Sequence, residues 1–186
     1  MSNNKYLKTV IAAMCIALGL VLPFLTGQIH AVGNMLCPMH IPVLIAGFLL
    51  GPKYGGIVGA ITPIFRSFIF AMPVMYPGAI AMAFELATYA IVAGIFHDVF
   101  RKAFKDKLKG KTKHYVVLYL SLAISMIAGR VVYGIVRYAM LGIVGTEFNI
   151  TMWISIEFIN AWPGIVLQFV VIPPLVRWLQ NIMPKN

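Results

Sequence analysis

Residues 115–128 read YVVLYLSLAISMIA. This apolar run lacks the period-two alternation that a lipid-facing β-strand requires, so it predicts a membrane helix rather than a barrel strand. The whole chain shares this character, because 61% of its 186 residues are hydrophobic, 11% are charged and the mean hydropathy is +0.90. A soluble globule would need a polar surface that this composition does not supply. The sequence therefore indicates a protein whose solvent is lipid.

Six hydrophobic segments of about twenty residues each account for most of the chain. We predict an all-α integral membrane protein with six transmembrane helices in one compact bundle, forming a single domain over residues 1–186. The second segment is bracketed by prolines, so it is expected to be short, tilted or broken, and breaks at membrane depth usually line a cavity. The predicted helices cover residues 6–25, 39–51, 53–71, 77–100, 114–141 and 151–180.

The positive charges predict the orientation of the bundle. Twelve of the fifteen Lys and Arg residues flank the helices on one side, whereas the opposite loops 26–38, 72–76 and 142–150 contain none. The positive-inside rule then places both termini and the basic loop 101–113 in the cytosol. Topology and anionic lipid headgroups explain this loop, so we expect membrane lipid and no nucleic acid as its partner, although its charge alone would suit either.

The other three cations, Arg66, Arg130 and Arg137, lie inside apolar segments. Charge within the membrane is costly, so such residues are candidates for function and are expected to face the bundle interior or a wet cavity. On the predicted topology they share the outer half of the bundle with other polar side chains. The predicted substrate-binding residues are Arg130, Arg137, Glu157, Asn160, Glu85, Arg66, Tyr133, Tyr89 and His40.

Helical spacing groups these residues into polar faces. Positions 130, 133, 134 and 137 share one helix face, and a second face carries Glu157, Asn160, Ala161, Gly164 and Gln168. Facing one another, they would form a hydrogen-bonding site for a small polar ligand. His40 would line the external mouth of this site, unless it is simply an exposed or packed histidine.

A purely structural interpretation is equally open. Arg66 with Glu85, and Arg130 or Arg137 with Glu157, would then be ion pairs that touch no ligand. However, three cations against two carboxylates leave one arginine in surplus, which a carboxylate-bearing substrate would neutralise. This inference fails if Arg137 reaches water by snorkelling.

The sequence lacks the motifs for ATP hydrolysis, nucleophilic catalysis and metal binding. No phosphate-binding loop of the GxxxxGK[ST] type is present, so the chain is not expected to hydrolyse ATP by itself. No Ser-His or Cys-His arrangement suggests nucleophilic catalysis, and two cysteines with scattered histidines give no metal-ligand spacing. We therefore predict neither enzyme activity, nor a metal, nor a cofactor.

Small residues in the first segment indicate a helix contact. Ala13 and Ala17 form a small-xxx-small pair, which lets another helix approach closely. The neighbour is either a partner subunit or another helix of the same bundle.

Taken in order, these motifs resemble the substrate-binding S components of energy-coupling factor (ECF) vitamin transporters. The resemblance covers nearly the whole chain and rests on Ala13-x-x-x-Ala17, the outer loop 26–38, PMHIPVLIAGFLLGP at 38–52, Tyr54-Gly55-Gly56, and Arg66-Ser67 ahead of Met72-Pro73. It implies a multi-pass protein of a prokaryotic plasma membrane, bound to a scaffold T subunit and two ATPase subunits. It also implies that Ala13 and Ala17 contact the scaffold, that loop 26–38 caps an outward-facing pocket, and that the subunit topples to deliver its cargo.

Substrate identity is less determined by the sequence. The segment Pro38-Met-His-Ile-Pro42 and the following glycines look most like the pantothenate branch of the family, which the surplus arginine would suit. The pyridoxine and hydroxymethylpyrimidine branches look similar here and remain alternatives, as do a membrane scaffold or assembly protein and a membrane enzyme acting on lipid.

Overall fold

The structure is a computed structural model that describes residues 2–26, 35–104, 110–145 and 149–183. Over these residues the chain is entirely helical, without a β-strand, which confirms the predicted all-α class. The helices are α1 (Ser2–Val21), α2 (His40–Leu50), α3 (Pro52–Phe70), α4 (Ile80–Ala103), α5 (Gly110–Val144), α6 (Ile150–Ile154) and α7 (Trp162–Ile182).

Four helical stretches are long and apolar enough to cross a membrane: Lys5–Phe24, Met75–Ala103, Thr112–Ile143 and Trp162–Ile182. The second predicted helix is short, as expected, with eleven residues in α2. Helix α3 has nineteen residues but is not among the four apolar spans. The count of six membrane spans and the cytosolic position of the termini therefore stay predictions.

The turn between α2 and α3 is set by glycine and proline. Gly51 has a positive φ of 84°, which a residue with a Cβ rarely adopts, and its N–H donates to the carbonyl oxygen of Gly47 at 3.1 Å. Pro52 follows as the first residue of α3, where a missing N–H costs nothing. Two helices consequently meet with almost no loop between them.

Helices α2, α3 and α4 pack backbone against backbone at one point. A Cβ added to Gly55 would lie 2.7 Å from the Cα of Gly47, and one added to Gly47 would lie 2.6 Å from the carbonyl oxygen of Ala90. Gly94 approaches the backbone of Pro52 in the same way, with 2.8 Å from its added Cβ to the proline nitrogen. Only residues without side chains permit such contacts, as in small-residue packing of membrane helices.

The core is built around this contact. Nine of the eleven residues of α2 are buried, so this short helix lies at the centre of the bundle. Buried apolar side chains of α4, α5 and α7 surround it, including Leu86, Leu118, Leu122, Ile172 and Val176. Helix α1 lies at the periphery, with most of its large side chains exposed.

The predicted sixth helix, residues 151–180, is not continuous. A π-helical stretch, Ser155–Asn160, follows α6, and Ala161 (φ −85°, ψ 3°) separates it from α7. Pro163 stands in the first turn of α7 and has no N–H to continue the hydrogen-bond ladder from the preceding turn. The extra residue per turn of a π-helix also rotates the side chains before Ala161 relative to those after it.

We expect the stability of the fold to depend on the glycine contact between α2 and α3. In Gly55→Val the new side chain would collide with the backbone of α2, and overpacking of this kind costs about 1–3 kcal/mol, or roughly 5 °C in Tm for a chain of this length. Thermal unfolding of the purified protein in detergent measures this loss.

Gly142→Val is the matched control, because it introduces the same side chain into α5 where nothing lies within 4 Å of the added Cβ. An equal Tm for the two variants would show that the backbone contact of Gly55 is not a constraint.

Candidate functional site

Glu85 and Tyr89 are the buried polar pair of α4. They lie one turn apart on the same face and are 3% and 0% exposed. The Tyr89 hydroxyl donates a hydrogen bond of 2.8 Å to Glu85 Oε1. Helical spacing alone brings them together, and burial excludes water from competing with the bond.

His40, the first residue of α2, adds an imidazole to this pair. Its Nε2 lies 3.7 Å from Glu85 Oε1, and its ring centroid lies 5.3 Å from that of Tyr89. The short α2 therefore begins at the polar face of α4. His40 is 4% exposed, so it is a buried residue rather than an exposed loop histidine.

Arg130 approaches the same place from α5. It is 2% exposed, and its guanidinium carbon lies 5.3 Å from the ring centroid of Phe158. The neighbouring Gly129 leaves room for the Tyr89 ring, which a Cβ at that position would contact. Arg130 thus lies within electrostatic range of Tyr89. We call His40, Glu85, Tyr89 and Arg130 the central cluster.

Gln168 of α7 is completely buried, and neither its Oε1 nor its Nε2 has a hydrogen-bond partner within the described residues. Helix α7 runs parallel to α2, since Gly164 packs on the carbonyl group of Leu36 and Gln180 Nε2 donates to the Phe48 carbonyl oxygen at 3.5 Å. One turn from Gly164, Gln168 therefore lies near the depth of His40.

In the part of the chain that the structure describes, His40 Nδ1 and Trp153 Nε1 are also buried without a hydrogen-bond partner. The Trp153 ring packs against α5 at Gly134, whose added Cβ would lie 2.7 Å from it. Burying a polar group without a hydrogen bond is unfavourable, so these atoms and the Gln168 amide are suited to bind polar groups of a ligand.

Arg66 does not join the central cluster, and the ion pair with Glu85 considered from the sequence does not form. Its Nη1 donates to the Leu20 carbonyl oxygen at 2.7 Å, and its guanidinium carbon lies 5.5 Å and 5.6 Å from the rings of Phe24 and Phe70. The sequence interpretation missed this partner because α1 ends beside α3, which places an orphan carbonyl within reach of the arginine. Arg66 connects the end of α1 to α3.

Arg137 and Tyr133 form a separate pair on α5. Arg137 Nη1 donates to the Tyr133 hydroxyl oxygen at 2.7 Å. Seven residues separate Arg137 from Arg130, so it lies roughly 10 Å further along the helix. The pair is half-buried and lies at the edge of the region occupied by the central cluster.

The predicted polar face of the sixth segment is divided. Asn160 is exposed, whereas Gly164 and Gln168 are buried, because the π-helical stretch ends between them and changes the helical register. The side chain of Glu157 lies outside the described residues, and with it the predicted pair with Arg130 or Arg137. The sequence interpretation did not select Trp153 and did not include Gln168 among the binding residues, although Gln168 had the right spacing.

Ala13 and Ala17 are both exposed on α1. Two neighbours were considered for this pair, and the structure does not show the second of them, another helix of the same bundle. The surrounding surface is apolar, with Val10, Met14 and Val21 between 56% and 60% exposed. This side of α1 is available to lipid or to another membrane helix.

A family model described as "ECF transporter, substrate-specific component" matches residues 7–176. No curated protein and no solved structure matches the chain significantly.

Because Arg66 satisfies the Leu20 carbonyl, we expect Arg66→Met to lower stability while keeping most of the side-chain volume. Loss of a charge-assisted hydrogen bond typically costs about 1.5–3 kcal/mol, and the measurement is Tm in detergent. Lys102→Met, at an exposed position near the end of α4, is the control and should unfold like the wild type. An unchanged Tm for Arg66→Met would mean that the bond to α1 does not hold the fold.

Proposed function

Because the chain belongs to the family of ECF transporter substrate-specific components, we propose that it captures a small water-soluble vitamin, with pantothenate favoured, from outside the cell. This family is a transporter component and not an enzyme family. Its members bind substrate and associate with T and ATPase modules, so the energy for import comes from the partners. The proposed location is the plasma membrane of a prokaryote.

The observation that carries the proposal is the set of buried polar atoms around the central cluster. His40 Nδ1 and the Gln168 amide have no partner among the described residues, although each is buried in an apolar bundle. A ligand with hydroxyl and amide groups would supply the missing hydrogen bonds. Pantothenate has both kinds of group.

Arg130 is the proposed partner of the ligand's carboxylate. It is buried and lies within electrostatic range of Tyr89. The Tyr89 hydroxyl donates to Glu85, which also lies near His40. A guanidinium group binds a carboxylate with two parallel hydrogen bonds, which fixes orientation as well as charge. Arg137, which pairs with Tyr133, is the substitute candidate. Asn160 and Glu157 stay proposed ligand contacts from the sequence alone.

A second candidate ligand is a neutral vitamer such as pyridoxine or hydroxymethylpyrimidine. The Glu85 carboxylate with Tyr89 and His40 favours this reading, since these groups bind hydroxyl groups and ring nitrogens without needing a ligand charge. The two candidates differ in the role of Arg130, which only a carboxylate-bearing ligand requires.

The proposed partner surface is the exposed side of α1. Ala13 and Ala17 expose little side chain there, so a helix of the T subunit can approach the backbone of α1 closely. The two ATPase subunits would act through that scaffold, and toppling of the subunit would release the vitamin inside. A non-transporting scaffold would share this surface but would bind no vitamin.

Replacement of Arg130 by Ala should weaken pantothenate binding about ten- to hundredfold, since a charge-assisted hydrogen bond is worth about 1.5–3 kcal/mol. Isothermal titration calorimetry of the purified chain with pantothenate, pyridoxine and hydroxymethylpyrimidine gives the Kd values. Arg66→Met is the control, because Arg66 contacts α1 rather than the central cluster.

Normal pantothenate affinity in folded Arg130→Ala would contradict the assigned role. Tighter binding of pyridoxine or hydroxymethylpyrimidine than of pantothenate would support the second candidate ligand instead. If no vitamin binds, the scaffold alternative gains support.

The double change Ala13→Trp with Ala17→Trp should spare vitamin binding but abolish uptake, because two indole rings keep another helix away from α1. Uptake of labelled vitamin by cells that express the whole transporter is the measurement. Ile127→Trp, on a 60% exposed position of α5, controls for bulk added to the membrane-facing surface. Uptake at the wild-type rate by the alanine variant would refute the docking surface.

A further inference from the structure

A polar cavity lies where α4 ends and α5 begins. It has a volume of about 110 Å³ and is lined by His97, Arg101, Lys113, His114 and Val117. We call it the basic pocket. The last turns of α4 and the first turns of α5 form it, so it opens where the chain leaves one helix and enters the next.

The basic pocket is separate from the central cluster. Glu85 and Arg101 lie sixteen residues apart on α4, which corresponds to roughly 24 Å along the helix. This distance is comparable to the thickness of the hydrocarbon layer, about 30 Å. The two sites therefore lie near opposite surfaces of the bilayer, and the basic pocket lies on the side predicted to be cytosolic.

Positive charge dominates the basic pocket. Arg101 and Lys113 line it, and Arg177 of α7 lies within electrostatic range of His114, with its guanidinium carbon 4.7 Å from the ring centroid of Tyr115. Among the described residues, Asp98 is a carboxylate near this cavity, 3.9 Å from His97 Nδ1, but its side chain is 63% exposed. Cations are thus in excess at this cavity.

His114, which lines the cavity, has a buried polar atom without a partner among the described residues. His114 Nε2 is inaccessible to water and has no hydrogen-bond partner within the described residues. The His97 ring lies beside it, with 6.4 Å between the two ring centroids. Guanidinium, ammonium and imidazole groups around one small void are the donors that proteins use to bind phosphate.

We propose that the basic pocket binds a phosphate group, supplied by an anionic phospholipid headgroup or by free phosphate ion. A cavity of about 110 Å³ has room for one small tetrahedral anion. At this depth the phosphodiester groups of lipids are adjacent, and basic pockets between membrane helices recognise such headgroups. The inference does not depend on vitamin binding by the central cluster.

A bound phosphate would reduce the repulsion between two cations that α4 and α5 bring together. Arg101 belongs to α4 and Lys113 to α5, so one anion between them connects the two helices across the basic loop. Binding would hold this end of the bundle at the membrane surface.

The test compares lipid retention by two double variants of the full chain. Native mass spectrometry is performed on protein taken from nanodiscs of phosphatidylcholine with or without phosphatidylglycerol. We expect wild type to retain one phosphatidylglycerol, and Arg101→Gln with Lys113→Gln to bind it at least about tenfold more weakly. Lys53→Gln with Lys102→Gln removes the same charge from exposed positions outside the pocket and should retain lipid like the wild type.

A second arm uses inorganic phosphate, with binding to the detergent-solubilised protein followed by ³¹P NMR line broadening. If only phosphate ion binds, and the pocket variant alone loses it, the proposal holds with free phosphate as the source. Equal retention of lipid and phosphate by the pocket variant and the wild type overturns it, as does the absence of both from the wild type.

Discussion

The close contact of α2, α3 and α4 through glycine is the constraint on which the rest of the structure depends. Because Gly47 and Gly55 have no side chains, the backbones of three helices meet within van der Waals distance. This contact holds an eleven-residue helix at the centre of the bundle, where it is too short to span a membrane by itself. The position of His40 at the start of that helix follows directly.

The central cluster is a consequence of that placement. The first turn of α2 ends up beside Glu85 and Tyr89, and Gly129 lets α5 approach closely enough to bring Arg130 to the same side chains. Four buried polar side chains from three helices then lie in one region of the bundle. The Gln168 amide has no hydrogen-bond partner among the described residues, and this observation supports the ligand-binding proposal for the region.

The sequence predicted the helical class, the short second segment and the family, which is confirmed at the level of the substrate-specific component. These features follow from local signals: apolar length, proline position and motif order. The contacts that were not predictable depend on tertiary packing. The partner of Arg66 comes from the end of α1, and the register change before Ala161 comes from a π-helical stretch that no periodicity rule anticipates. Vitamin identity remains a proposal, because pockets within one fold diverge at a few side chains.

The peripheral position of α1 affects which lipids or helices can contact the protein in the membrane. Only 22% of its apolar window is buried inside the bundle, against 50% for the stretch that contains α4. When a lipid that contacts α1 is replaced by another helix, the packing in the interior of the bundle therefore stays intact. The same surface can be covered and uncovered repeatedly while the fold itself stays unchanged, a property that suits reversible association far better than permanent assembly.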